Sequence, residues 1–126
     1  MNQGKEEIVG ISISSREYDR AVSVIETAVT EYFEKIGASL SGLQAHINLT
    51  VDYRQGGYGL YDERITDTIE KQFCTNGLPL DPTYTGKAFW GMEQYIEDND
   101  LRDCNVLFIH TGGTPLYYDF LQAQSK

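Results

Sequence analysis

The sequence is poor in cysteine, histidine, proline and positive charge, and each shortage excludes a class of protein. Its two cysteines, Cys74 and Cys104, stand far apart with no paired spacing. A disulfide framework, a zinc site and a dithiol redox pair are therefore not indicated, and two reduced thiols are expected. Ten Lys and Arg against nineteen Asp and Glu give a net charge of -9, and the basic residues are scattered. Phosphate recognition needs them clustered, so no nucleic-acid partner is expected. The only histidines are His46 and His110, with no ligand-like spacing to acidic residues, so no metal site is indicated. No apolar run approaches membrane-spanning length, and residues 1–7 are too polar for a signal peptide. No membrane association and a cytoplasmic location are expected, and the sequon Asn48-Leu49-Thr50 then carries no meaning.

What is present suits a folded chain: 126 residues, 40% hydrophobic and 12% aromatic, enough for a single domain over 1–126 with one modest core. Strand and helix patterns alternate. Residues 8–13, Ile-Val-Gly-Ile-Ser-Ile, read as a buried strand. Ser14 and Glu17 form a capping-box pattern ahead of apolar positions Val22, Ile25, Ala28, Val29, Tyr32, Phe33 and Ile36 at helical spacing, with Gly37 as the stop. Ile47, Leu49, Val51 and Tyr53 alternate with polar residues as a half-buried strand does. Asp62 caps a helix through Ile65, Ile69 and Phe73 that stops at Gly77, and a further helix is predicted from about Lys87 to Ile96. Residues 106–109, Val-Leu-Phe-Ile, lack alternation and predict a strand covered on both faces, followed by a helix with Pro115 in its first turn. The expected fold is α/β, with a small, mostly parallel sheet of about three strands and helices on both faces. So thin a sheet implies that something else completes it.

Three local features could carry chemistry. The turn Thr111-Gly112-Gly113 follows a predicted strand and opens a helix, a place where backbone can approach a flat or anionic ligand. A plain strand-to-helix connection is the alternative, and no P-loop lysine follows. Tyr58, inside Gln55-Gly56-Gly57-Tyr58-Gly59, and Tyr84, before Thr85-Gly86, are rings set among glycines that could stack on a planar ligand or present a hydroxyl to substrate; packing under their own loops is equally open. His110, ending the apolar run, reads as a satisfied structural residue, since no nucleophile is tied to it.

The order Gly57-Tyr58-Gly59, then Leu80-Asp81-Pro82-Thr83-Tyr84-Thr85-Gly86-Lys87-Ala88, then Phe108-Ile109-His110-Thr111-Gly112-Gly113-Thr114-Pro115 resembles the C-terminal part of the 1-aminocyclopropane-1-carboxylate deaminase and D-cysteine desulfhydrase family. These are fold-type II pyridoxal-phosphate enzymes related to the tryptophan synthase β-subunit. The resemblance implies that Tyr84 and Tyr58 flank the cofactor ring and face the substrate as catalytic phenols. It implies that Thr111, with Gly112, Gly113, Thr85 and Tyr84, lines the cofactor site, with the Thr111 hydroxyl at the pyridine nitrogen. A hydroxyl can serve a neutral ring nitrogen, whereas a pyridinium needs a carboxylate. Ring-opening deaminases look like Tyr-Glu-Gly-Lys-Ser here and desulfhydrase-like members like Tyr-Thr-Gly-Lys-Ala, so the substrate expectation moves to D-cysteine or a similar β-substituted amino acid. The family's Schiff-base lysine and phosphate loop lie in an N-terminal stretch with no counterpart before Ile8, and none of Lys5, Lys35, Lys71, Lys87 and Lys126 matches the Schiff-base position. The chain by itself is therefore expected to be inactive. The competing expectation is a non-catalytic α/β module that binds a small anion, or a homo-oligomer formed through an exposed sheet edge.

Overall fold

The computed structural model describes residues 7–124, which form two compact units. The first holds the chain through Ser12 together with Arg16–Val51, and the second holds Ile13–Ser15 with the chain from Asp52 onward.

In the first unit, strand β1 (Gly10–Ile11) pairs in parallel with β2 (Leu49–Thr50), Gly10 facing Leu49 and Ile11 facing Thr50. The crossover between them is helix α1 (Tyr18–Lys35) followed by a 3₁₀ turn, Leu43–His46. A parallel pair requires such a connection, because a hairpin can only join antiparallel strands. The helix starts later than the capping-box pattern suggests: Glu17 holds the cap position and its side chain makes no capping bond. Its stop is as expected. Gly37 adopts φ +71°, its N–H bonds the Glu34 carbonyl at 3.0 Å, and the Ala38 N–H bonds the Phe33 carbonyl at 2.9 Å. Only Ala21 is buried on α1, while Tyr32 and Ile36 are exposed, so its apolar face is only partly covered.

The second unit contains α2 (Glu63–Asn76), α3 (Thr85–Asp98) and α4 (Thr114–Gln124). Asp62 caps α2 by accepting from the Arg64 N–H at 3.1 Å, and Gly77 ends it in the left-handed conformation. The core is Ile65, Ile69, Leu80, Tyr117 and Phe120, with Leu78, Phe89, Trp90 and Phe108 packed against it. A Cβ on Gly86 would stand 2.7 Å from the Asp81 carbonyl and 3.0 Å from Ile69, so glycine is what lets α3 lie this close to α2.

The α/β class stands, but among the described residues the sheet has two strands, not three. Residues 106–109 are not a covered strand. They run without ladder hydrogen bonds to any described residue, with Leu107 86% and Ile109 70% exposed. A strand exists only through its neighbours' backbone groups, and apolar composition cannot supply those.

The second unit also carries a test of alkaline stability. Tyr53 is buried and donates to Asp98 Oδ2 at 2.8 Å; burial first, then this bond, pushes its hydroxyl up to about 12. The folded state therefore keeps a proton that the unfolded chain loses near pH 10, and stability is fully present below pH 10 and falls as pH rises to about 12. Tyr53→Phe is expected to cost about 1 kcal/mol at neutral pH through loss of the hydrogen bond. It should also make the alkaline decline shallower, read as urea midpoints on either side of that window. An unchanged alkaline slope would remove Tyr53 from this role.

Candidate functional site

Asp81 organises the site. Its side chain is fully buried and accepts four hydrogen bonds: Oδ1 from the N–H groups of Thr83 (2.9 Å) and Tyr84 (2.7 Å), Oδ2 from the N–H (3.0 Å) and hydroxyl (2.7 Å) of Thr85. These N–H groups open α3 and would otherwise lack partners, so one carboxylate caps the helix and fixes the turn that presents Tyr84. The Asp81 N–H in turn bonds the Thr85 hydroxyl at 3.0 Å, and its carbonyl accepts from Gly86 at 2.8 Å.

The same carboxylate reaches the second motif. Gly113, at φ +90°, lies so close that a Cβ there would be 2.2 Å from Asp81 Oδ2. His110 adds a second tie. One ring nitrogen, Nε2, meets the Pro79 carbonyl at 3.0 Å, and the other, Nδ1, accepts from the Gly112 N–H at 3.1 Å. A carbonyl can only accept and an N–H can only donate, so the ring is neutral with its proton on Nε2. The structural reading of His110 is thus borne out, and it binds the proline segment to the Thr111-Gly112-Gly113 turn.

Tyr84 and Tyr58 meet at the surface. Their hydroxyl oxygens are 2.5 Å apart and the rings pack edge to face at 5.7 Å. Both are exposed, Tyr58 at 60% and Tyr84 at 38%. The bond to Tyr58, with some burial, raises the Tyr84 phenol above its usual range, which keeps it protonated. Thr111 is exposed at the head of its turn, and the space where Gly112 would carry a Cβ is open.

The structure brings Tyr58 and Tyr84 into contact and gathers Tyr84, Thr85 and Gly113 around Asp81. It places Thr85 differently from Thr111: Thr85 is buried and its hydroxyl is engaged with Asp81 as donor and acceptor, so its part is to set the turn. Sequence reasoning gave no role to Asp81, and it weighed Lys87 only as a Schiff-base lysine, missing its burial. An Asp opening a segment four residues ahead of Thr85 is a capping signal and could have revealed the first. Among the described residues no group of three metal-ligating side chains occurs, and no helix is long and apolar enough to cross a membrane.

Fold and site define an α/β protein with a solvent-facing phenol pair beside a turn that a buried carboxylate anchors. No family model matches the chain. It is similar to a Pyrococcus abyssi (strain GE5 / Orsay) protein provisionally named 1-aminocyclopropane-1-carboxylate deaminase, 36% identical over 108 residues, 86% of this chain and 31% of that protein. It is also similar to the D-cysteine desulfhydrases of Salmonella schwarzengrund (strain CVM19633), 32% identical over 116 residues, and Yersinia enterocolitica (serotype O:8), 34% over 115, each match covering 90% of this chain and 34% of the relative. The chain belongs to the 1-aminocyclopropane-1-carboxylate deaminase and D-cysteine desulfhydrase family over the region it spans. That region is about a third of the length of these relatives.

Proposed function

We propose that this chain supplies the ring-facing wall of the active site in a pyridoxal-phosphate-dependent lyase acting on D-cysteine or a similar β-substituted amino acid. With water, D-cysteine would yield pyruvate, ammonia and sulfide. The observation that carries this reading is the 2.5 Å contact between the Tyr58 and Tyr84 hydroxyls, held by the turn that Asp81 anchors.

The donor set fits the cofactor. Exposed phenol edges and the Thr111 hydroxyl are neutral donors suited to a planar, uncharged heterocycle, and the open space beside Gly112 admits one closely. Thr111 would hold the pyridine nitrogen and Tyr84 would lie against the ring. When bound, pyridoxal phosphate supplies the electron sink that weakens bonds at the substrate α-carbon. This chain's own part is to orient and to move protons: Tyr84, kept protonated, can donate to a leaving sulfur and recover its proton through Tyr58. Thr85 favours this chemistry over ring opening, because its buried hydroxyl is committed to Asp81 and position 85 offers no free carboxylate.

Among the described lysines of the second unit none presents a free amine to the phenol pair. Within that unit, Lys71 pairs with Glu93 at 3.4 Å and the Lys87 ammonium is sealed in; Lys5 and Lys126 lie outside the described residues. The isolated chain is accordingly proposed to be inactive, with the missing amine supplied by the rest of a longer enzyme.

The test grafts these 126 residues in place of the matching segment of the Salmonella desulfhydrase. The chimera should release sulfide and pyruvate from D-cysteine in preference to ammonia from 1-aminocyclopropane-1-carboxylate. Tyr84→Phe should lower that rate about a hundredfold. A folded chimera that binds cofactor yet produces no sulfide would defeat the reading. The exposure of Leu107 and Ile109 favours the competing reading, self-association through an uncovered segment, and light scattering on the 126-residue chain tests it.

A further inference from the structure

The loop that carries Tyr58 has little of its own to hold it in place. Gly56, Gly57 and Gly59 all have positive φ, as does Gln55, and no atom would contact a Cβ at Gly59. Such a segment loses much conformational freedom when ordered and gains little side-chain packing. Two turn bonds close it, Gly57 N–H to the Arg54 carbonyl at 3.1 Å and Leu60 N–H to the Gly57 carbonyl at 3.2 Å. Arg64 also holds one end, donating to Gln55 Oε1 at 2.7 Å.

Beneath those two turns lies Lys87, fully buried. Its Nζ donates to the same two carbonyls, Arg54 at 3.3 Å and Gly57, the residue directly before Tyr58. Lys87 stands in the first turn of α3, three residues after Tyr84 at the cap of that helix, so one helix end carries both Tyr84 and the group that grips the loop beneath Tyr58. Among the described residues the bonds to this ammonium come from two carbonyl dipoles rather than from an acidic side chain. Because both partners can only accept, the amine has to donate to each. Nothing on the surface requires a cation here, and an alkyl side chain of the same length would fill the space without the cost of burying charge.

We infer that Lys87 is a positioning residue whose buried ammonium, by clamping the carbonyls of Arg54 and Gly57, holds the Tyr58 hydroxyl against that of Tyr84. Its catalytic meaning rests on the reading of Tyr58 as substrate-facing, but the geometry it sets can be measured without activity. Burial lowers the proton affinity of Lys87, which is the cost of placing charge there.

The experiment separates charge from packing in the whole chain. In a background with the two exposed cysteines replaced by serine, Lys87→Cys is alkylated in denaturant, either to the S-aminoethyl form, which restores an ammonium, or to the S-propyl form, which restores length alone. After refolding at neutral pH, ring-to-ring nuclear Overhauser effects between Tyr58 and Tyr84 are recorded, with amide exchange at Gly57 and Leu60. The S-aminoethyl form should match wild type. The S-propyl form should lose the ring contact and exchange these amides roughly tenfold faster or more, the effect of removing a charged hydrogen bond. Lys87→Met, purified already folded, reads the same two signals without refolding. Persistence of the ring contact and of slow exchange in the S-propyl form or in Lys87→Met would overturn the assignment. Because neither signal depends on cofactor or turnover, failure of the proposed lyase activity would leave this result intact, and the converse also holds.

Discussion

Asp81→Ala is expected to destabilise the second unit by about 3 to 5 kcal/mol, the largest effect of any single side-chain truncation in the chain. The carboxylate accepts from three backbone N–H groups and one hydroxyl, all at the start of α3. Alanine returns none of these bonds, and a buried donor left without a partner costs about 1 to 3 kcal/mol. Thr85 and its N–H are buried with Asp81, so water reaches them poorly. Asp81→Asn keeps one acceptor oxygen and should lose about half as much. Urea unfolding checks both: the midpoint should fall with the slope unchanged. A loss below about 1 kcal/mol for the alanine variant would show that the turn is held by other means. In the proposed enzyme the site should loosen before the fold fails, because this turn sets the Tyr84 backbone.

Gly113→Ala should be nearly as damaging, at about 4 kcal/mol, for two separable reasons. Its φ of +90° is strained for any L side chain, and the added Cβ would meet Asp81 Oδ2 at 2.2 Å, in the most tightly bonded part of the site. Gly112→Ala is the control. Its φ of +111° brings the strain, but open space surrounds the new methyl, so the cost should be only about 1 to 3 kcal/mol. A double-mutant cycle isolates the clash, since Gly113→Ala in an Asp81→Gly background should lose most of its excess over Gly112→Ala. Equal costs at the two glycines would mean that the approach to Asp81 is unimportant.

Much of the local structure was legible because its signals lie within a few residues of their effects. The Asp62 cap, the stops at Gly37 and Gly77 and the helix opening near Pro115 all depend on backbone groups one turn away. The motif order also sufficed to indicate the family. Less was legible where partners are distant. The apolar run at residues 106–109 has strand composition, yet whether it becomes a strand depends on neighbours that no described residue provides.

The site divides along the same line. That Tyr58 and Tyr84 belong to special loops could be read from their glycines. That their hydroxyls stand 2.5 Å apart across 26 residues could not. Nor could the sequence show that Thr85 turns inward to Asp81, that His110 bridges Pro79 and Gly112, or that Lys87 lies beneath a loop 30 residues away. By itself the sequence determined the helix stops at Gly37 and Gly77, the loop positions and the family, since these follow from near-neighbour backbone chemistry and motif order. Only the tertiary structure decided which polar groups meet. A buried donor or acceptor must find its partner wherever packing brings one, and packing depends on the whole unit.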